Sequence, residues 1–446
     1  MFKKGSKKLI RAWAVYDWAN SVYALVISSA IFPIYYGTLL DDSDTIPIFG
    51  MEIRSTALIS FVTGLSILIV TLITPILSGI ADYVGNKRIF MKIFVYIGSI
   101  SCIGLYWFDI ENIELGITFY GLALMGFTGS LVFYNSYLPD ITYPDQMDQA
   151  SAKGFSYGYV GSVILLVFNL VLVMYPHWFG ISGTEKQQAL KAMKIAFVSV
   201  GIWWMLFSQI SFYALPKGIK KVKKIEKVFT NGFRELFSVW KQLKQLKGLS
   251  RFLSSFFIYS MALQTVLIIA AYFGEQEINW NNDSQKTMGL IISILLIQLV
   301  AIIGAELTAR ASGKFGNIRT LIALNIFWAL ICLTAYNVYE PIQFYVIAGC
   351  VGLVMGGLQA LSRSTYSKLL PKTKDTTSFF SFYEVTEKLG VIIGIVTFGL
   401  LDQLTGSLRN SITFFLVVFL IGGLRLLRIP KSVRRDLVRK ANTTRT

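Results

Sequence analysis

Ala81-Asp82-Tyr83-Val84-Gly85-Asn86-Lys87-Arg88 separates two apolar runs, and Gly316-Asn317-Ile318-Arg319 does the same 231 residues after Gly85. A second echo keeps that register. Leu138-Pro139 recurs as Leu370-Pro371 at an offset of 232, and each is followed by an aromatic helix start, Phe155-Ser156-Tyr157 and then Phe380-Ser381-Phe382. Two independent pairs at one spacing indicate a chain built twice. Between the copies lies the one long basic break, carrying Lys217, Lys220, Lys221, Lys223, Lys224, Lys227, Arg234, Lys241, Lys244 and Lys247. The expected organisation is therefore an N-terminal unit over 1–215, a basic linker over 216–250, a C-terminal unit over 251–429 and a basic tail over 430–446.

Composition places both copies in a membrane. Of 446 residues, 54% are hydrophobic and only 15% are charged, a balance foreign to soluble domains of this size. A hydrocarbon core of about 30 Å needs about 20 apolar residues in a helix. Runs of that length fall near 13–39, 56–80, 89–108, 115–138, 154–175 and 193–215, then 251–273, 287–311, 319–337, 342–366, 379–401 and 411–429. Twelve spans, six per copy, are expected. The net charge of +17 could suggest nucleic acid, but its placement argues for topology. With both termini cytoplasmic, 35 of the 42 Lys and Arg residues fall on inner segments, as the positive-inside rule requires.

Several chemistries are poorly supplied. Gly313-Lys314 is followed by Phe315, so no phosphate-binding loop of the GxxxxGK[ST] type forms there. The single His177, beside Tyr175 and Trp178, reads as a membrane-interface residue and cannot build a usual zinc site. Cys102, Cys332 and Cys350 sit in apolar runs without ligand spacing and are expected to be buried packing residues. No enzyme activity, metal or cofactor is expected. The basic start MFKKGSKKLIR leads into an apolar run without a small-residue cleavage site, so the first span is expected to be retained.

The Ala81–Arg88 loop resembles the loop signature of the major facilitator superfamily, with two departures. Ser78 stands where the first Gly is usual, with Gly79 one place later, and Asn86 takes the first basic position. The resemblance implies an all-α membrane fold of twelve helices in two six-helix bundles, with substrate bound between them near the midplane. Asp82 at a helix C-terminus opposes the helix dipole unless it gains a cation or a second helix N-terminus. Such a partner would make Asp82, Gly85, Lys87 and Arg88 a gating latch, the alternative being a tight turn with basic anchors. In the second copy the aligned acid position is Gly313, which makes this latch one-sided. Gly316 and Arg319 are the remaining counterparts. Glu306 and Arg310, four residues apart, read as a helix-surface pair or a latch pair.

Three further strings carry a narrower resemblance: YDWANSVY at 16–23, KGFSYGYVGSVI at 153–164 and GGLQALSRSTYSKLLP at 356–371. They resemble the vacuole-effluxer-like family of that superfamily, which includes a vacuolar amino-acid exporter of yeast. The resemblance implies a secondary active transporter of small polar solutes, amino acids among them, with efflux as the favoured direction. Short loops favour a bacterial inner membrane. The expected partners are a small-molecule substrate, protons and the lipid bilayer, and a monomer is expected.

Charges inside spans are rare and mark solute or ion pathways. Asp17, Asn20, Ser21 and Ser28 fall at i, i+3, i+4 and i+11, one polar stripe of the first span. Asp17 serves either as a proton or cation site or as an ion-pair partner of the basic N-terminus. Asn20 and Tyr23 serve either a polar solute or interhelical bonding. In the eleventh span Glu384, Glu387 and Lys388 crowd into one turn, and Glu384 and Lys388 can pair across it. Arg363 could meet an anionic solute or a carboxylate such as Asp17 or Glu384. Glycines 154, 158 and 161, 352 and 356, and 390 and 394 permit close helix approach. Pro33 and Pro75 should kink spans one and two. Between Lys153 and Tyr175 there is no proline, which weakens a multidrug-antiporter reading. Export of amphipathic compounds and a non-transporting receptor or scaffold are the rival readings.

Overall fold

Backbone polar groups have no water to bond in hydrocarbon, so each apolar run must close its hydrogen bonds within a helix. The computed structural model describes residues 2–40, 45–48, 51–218 and 228–442, and almost all of them are helical. Eleven helices among the described residues are long and apolar enough to cross a membrane. A twelfth, Thr376–Thr405, matches them with 30 residues and carries the charges Glu384, Glu387 and Lys388. The chain is a multi-pass membrane protein with the expected twelve long helices. The linker cluster Lys220, Lys221, Lys223, Lys224 and Lys227 lies outside the described residues.

The first span runs from Lys7 to Leu39, starting six residues before its apolar run. Gly5, with φ +80°, turns the chain, and Ser6 then caps the helix, its hydroxyl accepting from the Leu9 N–H. Asp17 is consequently the eleventh helical residue, deeper than its place in the apolar run implies. Over Tyr23–Ile31 the helix widens to π geometry, and Ser29 donates to the Ala24 carbonyl five residues back at 2.9 Å. Pro33, which has no N–H to continue the ladder, lies at the start of the next segment, Phe32–Leu39. Pro75, by contrast, sits within the unbroken helix Ser55–Val84. A short antiparallel hairpin, Thr45–Ile48 with Met51–Arg54, precedes that helix and was not apparent in the sequence pattern.

The chain divides into two compact units. Unit one holds Met1–Phe2, Arg11–Asn135 and Tyr157–Arg234, and unit two holds Lys3–Ile10, Ser136–Ser156 and Glu235–Thr446. These units differ from the sequence halves, because the start of the fifth span, Met147–Met174, clusters with the later helices. In unit one, Gly98 and Gly126 bring the third and fourth spans into backbone contact, since a Cβ on Gly126 would lie 2.4 Å from the Gly98 Cα. In unit two the eighth and tenth spans do the same reciprocally. A Cβ on Gly352 would meet the Ile297 carbonyl at 2.5 Å and one on Gly304 would meet the Leu353 carbonyl at 2.0 Å. Without a hydrophobic force between helices in lipid, such close approach supplies the packing. Phe61, Leu65, Leu68 and Leu72 form an exposed apolar stripe along the second span, the inverse of a soluble helix. Cys102 and Cys332 are buried, whereas Cys350 is exposed on the tenth span, contrary to expectation, because its helix face points out of the unit.

Candidate functional site

In unit one Asp17 and Asn20 of the first span's polar stripe are buried, Ser21 is half-buried and Ser28 is exposed. Asp17 accepts a hydrogen bond from the Tyr134 hydroxyl at 2.7 Å, a charge-assisted contact of the stronger kind. Tyr134 is held in place by Trp13, which stacks on it at 4.5 Å and donates Nε1–H to its carbonyl at 3.1 Å. Next to this pair lies a group of buried polar atoms: the Tyr16 hydroxyl, Asn20 Nδ2, Trp204 Nε1, the Tyr23 hydroxyl and Ser208 Oγ, of which the first three are close enough to serve one another. Tyr16, Asn20 and Tyr23 are spaced i, i+4, i+7 on the first span, and Trp204 and Ser208 are four apart on the sixth, Glu185–Ala214. Each set shares one helix face. Asn20, Trp204 and Ser130 surround the Tyr16 hydroxyl, and Tyr23 lies 6.1 Å from the Trp204 ring. A buried polar atom left unmet costs about 1–3 kcal/mol, so the Tyr23 and Ser208 hydroxyls are the atoms here that favour an external partner.

Unit two holds the second polar cluster. Lys388 donates to Glu384 at 2.9 Å with both side chains buried, and Gln264 Nε2 donates to Glu387 at 2.8 Å. Tyr259 and Ser362 share a hydrogen bond of 2.8 Å, and Tyr383 stacks on Phe256 at 4.3 Å. Arg363 reaches toward the start of the fifth span. Its Nε donates to Ser151 Oγ and its Nη2 to the Ser151 carbonyl, both at 2.9 Å, and its guanidinium lies 4.2 Å over the Phe155 ring.

The densest ionic network in unit two involves residues that sequence reasoning missed. Asp148, in the first turn of the fifth span, accepts from Lys368 at 2.6 Å and Ser312 at 2.8 Å on one oxygen. Its other oxygen accepts from Asn317 at 2.9 Å and Ser364 at 2.7 Å. Lys368 also donates to Asn317 Oδ1 at 3.1 Å, and Asn317 donates to Thr365 at 3.0 Å. All six side chains are buried. Gly316 makes this possible locally: at φ +86°, a conformation that favours glycine, it ends the eighth span and starts the ninth at Asn317. Lys368 entered only the count of basic residues that sets topology, and Asp148 was not singled out. The available signal was Ser364 and Lys368 at i, i+4, a polar face at the end of an apolar span.

The residues named for gating sit at the ends of spans. Gly85 closes the second span in the left-handed region at φ +73°, its N–H on the Ala81 carbonyl at 2.9 Å. Asp82 is half-buried one turn earlier, and Lys87 opens the third span. Arg88 donates to the carbonyls of Phe212 and Leu215, placing a cation at the C-terminal end of the sixth span where the dipole favours it. Arg310 and Glu306 pair at 2.9 Å with both side chains exposed, as a surface pair, and Arg319 is exposed.

Outside the spans, Asp109 accepts from Lys194 at 2.6 Å. Partial burial pushes its carboxyl upward, but the Lys194 hydrogen bond, the Ile110 N–H and the Lys194 charge outweigh that and hold it below the usual carboxylate value.

The family model for vacuole effluxer Atg22-like proteins matches residues 5–436. The chain is 29% identical to an uncharacterized MFS-type transporter, YxiO, of Bacillus subtilis, with 99% of each chain covered. It is 24% identical to autophagy-related protein 22 of Kluyveromyces lactis, over 93% of this chain and 92% of that one. Among solved structures, the major facilitator transporter FucP in the outward conformation matches with a TM-score of 0.71 at 12% identity, over 95% of this chain and 100% of that one. The proton:xylose symporter XylE matches with a TM-score of 0.67 at 13% identity, over 95% of each chain. At such identities these two similarities speak to fold, which is that of the major facilitator superfamily.

Proposed function

The chain belongs to the vacuole effluxer Atg22-like family of major facilitator transporters, and from that membership we propose that it exports small polar solutes, amino acids first among them, by proton-coupled alternating access. The observation that carries the substrate class is the group of buried polar donors gathered in unit one. Trp204 Nε1 can only donate, Asn20 Nδ2 donates, and the Tyr16, Tyr23 and Ser208 hydroxyls can donate. Such a set receives an oxyanion, and a solute carboxylate is the acceptor that fits it. Asp17, a carboxylate held by Tyr134, supplies the opposite charge for an ammonium group or a proton.

Glu387 is the coupling carboxylate we assign to unit two, because it faces a neutral amide, Gln264, while its neighbour Glu384 is engaged by Lys388. The Asp148 network serves as the latch. It ties the start of the fifth span, from the first sequence half, to spans eight, nine and ten, so rocking one half against the other requires breaking it. The placement of basic residues supports cytoplasmic termini, and the short loops favour a bacterial plasma membrane. The protein works without a cofactor, as a monomer, and is not an enzyme.

Counterflow of labelled amino acids in proteoliposomes tests this reading. Wild type should exchange amino acids, and Trp204→Phe, which removes one donor and keeps the ring, should weaken apparent affinity for amino acids more than for the corresponding decarboxylated amines. No exchange of any amino acid sinks the substrate class. Equal weakening for acids and amines sinks the carboxylate assignment.

A further inference from the structure

The helix Val228–Gln245 presents three faces, each stepped i, i+4, i+7, i+11. Gly232, Val239 and Leu243 are buried, with Leu236 partly so. One residue along, Phe233, Phe237, Trp240 and Lys244 are exposed. One further along, Arg234, Ser238, Lys241 and Gln245 form an exposed polar face. An aromatic stripe between a buried face and a basic polar face is the pattern of a helix lying in a membrane interface, with Trp at headgroup level. The cations stay beside the rings: Lys241 Nζ lies 4.8 Å from the Phe237 centroid and Lys244 Nζ lies 5.0 Å from that of Trp240.

Within unit two, the end of this helix, the start of the seventh span and the eleventh span enclose an apolar groove of about 310 Å³. Trp240, Leu243, Lys244, Leu253, Phe257 and Phe382 line it, and the Trp240 ring lies 5.6 Å from Phe382. Lys244 is its charged lining residue, with exposed Lys241 and Lys247 on either side in sequence. Leu389, also in the lining, is exposed on the eleventh span, which opens the groove to the acyl region.

We infer that this groove binds one anionic phospholipid, with an acyl chain along Leu253, Phe257 and Phe382 and its phosphate held by Lys244 and Lys241. Charge complementarity selects the headgroup. A phosphodiester with net negative charge meets two unneutralised lysines at the groove, whereas a zwitterionic headgroup brings its own ammonium to compete with them. Basic clusters on amphipathic helices next to spans act on anionic lipids in this way.

Native mass spectrometry of the delipidated full-length protein, titrated with phosphatidylglycerol or phosphatidylcholine of identical chains, tests the assignment. One phosphatidylglycerol adduct should be favoured by about thirtyfold, the order expected of two basic side chains near an anionic surface. Lys241→Glu combined with Lys244→Glu should abolish that preference, and Leu253→Trp, which fills the groove, should weaken both adducts. A second readout does not depend on the groove variants folding. Dibrominated phosphatidylglycerol should quench wild type more than Trp240→Phe, and dibrominated phosphatidylcholine should quench them more nearly alike. Equal adducts for the two lipids, a preference surviving the lysine changes, or quenching indifferent to Trp240 would each overturn the proposal.

Discussion

Asp148→Asn is a one-atom change in shape and, in this network, a severe one in chemistry. Each Asp148 oxygen accepts from two donors: Lys368 and Ser312 on one side, Asn317 and Ser364 on the other. An amide offers one acceptor oxygen, so whichever way Asn is turned its NH2 faces two donors. In either orientation the Lys368 ammonium, at 0% side-chain exposure, also loses its counter-charge. Removing one partner of a buried pair costs about 3–5 kcal/mol. If that loss falls on the latched conformer alone, its population relative to the open one drops by about two to three and a half decades, at 1.4 kcal/mol per decade. The double variant Asp148→Asn, Lys368→Met should recover most of it. The amide can then donate to Ser312, whose hydroxyl also accepts, while its oxygen keeps Asn317 and Ser364. The assay is maleimide labelling of Ala152→Cys, buried beside the network, in a background lacking Cys102, Cys332 and Cys350. Labelling should accelerate by well over an order of magnitude in Asp148→Asn and return toward the parent rate in the double variant. A folded, monodisperse Asp148→Asn protein that labels at the parent rate would refute the latch.

Three other outcomes follow from the geometry. Glu387→Gln keeps an acceptor for Gln264 but removes the titratable proton, so counterflow should persist while gradient-driven uptake is lost; loss of both would assign Glu387 to solute binding or structure. Gly79→Leu drives a side chain into the Gly232 carbonyl, which a Cβ would already meet at 2.3 Å; overpacking of this kind costs about 1–3 kcal/mol, read as a lowered unfolding temperature. Lys194→Met removes the partner that holds Asp109 low. A depressed native carboxyl contributes stability above its unfolded value of about 3.9 and loses it as pH falls through the lower native value. The variant should therefore be less stable than wild type at pH 7, by about 1 kcal/mol or less for so exposed a pair, and the gap should close in acid. A gap that widens in acid would reverse the sign.

What could be read from the sequence was local or periodic. Twelve hydrophobic periods, the duplicated register and the Glu384–Lys388 spacing each depend on neighbours within a few turns or on a repeat. The first span's true start was misread because Lys7, Lys8 and Arg11 interrupt apolarity without interrupting a helix; their stems cover apolar surface while their charges reach water. The Gly5-Ser6 turn and cap were the better guide. The linker helix was hidden in the same way, its stripe of buried Val239 and Leu243 with half-buried Leu236 masked by ten basic residues over 216–250. Asp148 with Lys368 was out of reach for a different reason. They are 220 residues apart and come from different copies, so neither local spacing nor the internal repeat links them.

The repeat itself shows how the two equivalent loops differ. Asn86 and Asn317 occupy equivalent places at an offset of 231, and both are buried. Asn317 bonds Asp148, Lys368 and Thr365, whereas Asn86 Oδ1 has no partner. At the 232-residue offset, the first-copy equivalent of Lys368 is Ser136 and the second-copy equivalent of Asp148 is Phe380. The duplicated loop therefore kept its asparagine, while the Asp148–Lys368 pair around Asn317 has no counterpart at these offsets in the other copy. Asn317→Leu removes three contacts, two of them to charged groups worth about 1.5–3 kcal/mol each, and should accelerate Ala152→Cys labelling much as Asp148→Asn does. Asn86→Leu strips an oxygen that already lacks a donor and should leave that labelling unchanged. If both substitutions accelerate it equally, the two loops work together, and the asymmetry of charge between the copies has no mechanical consequence.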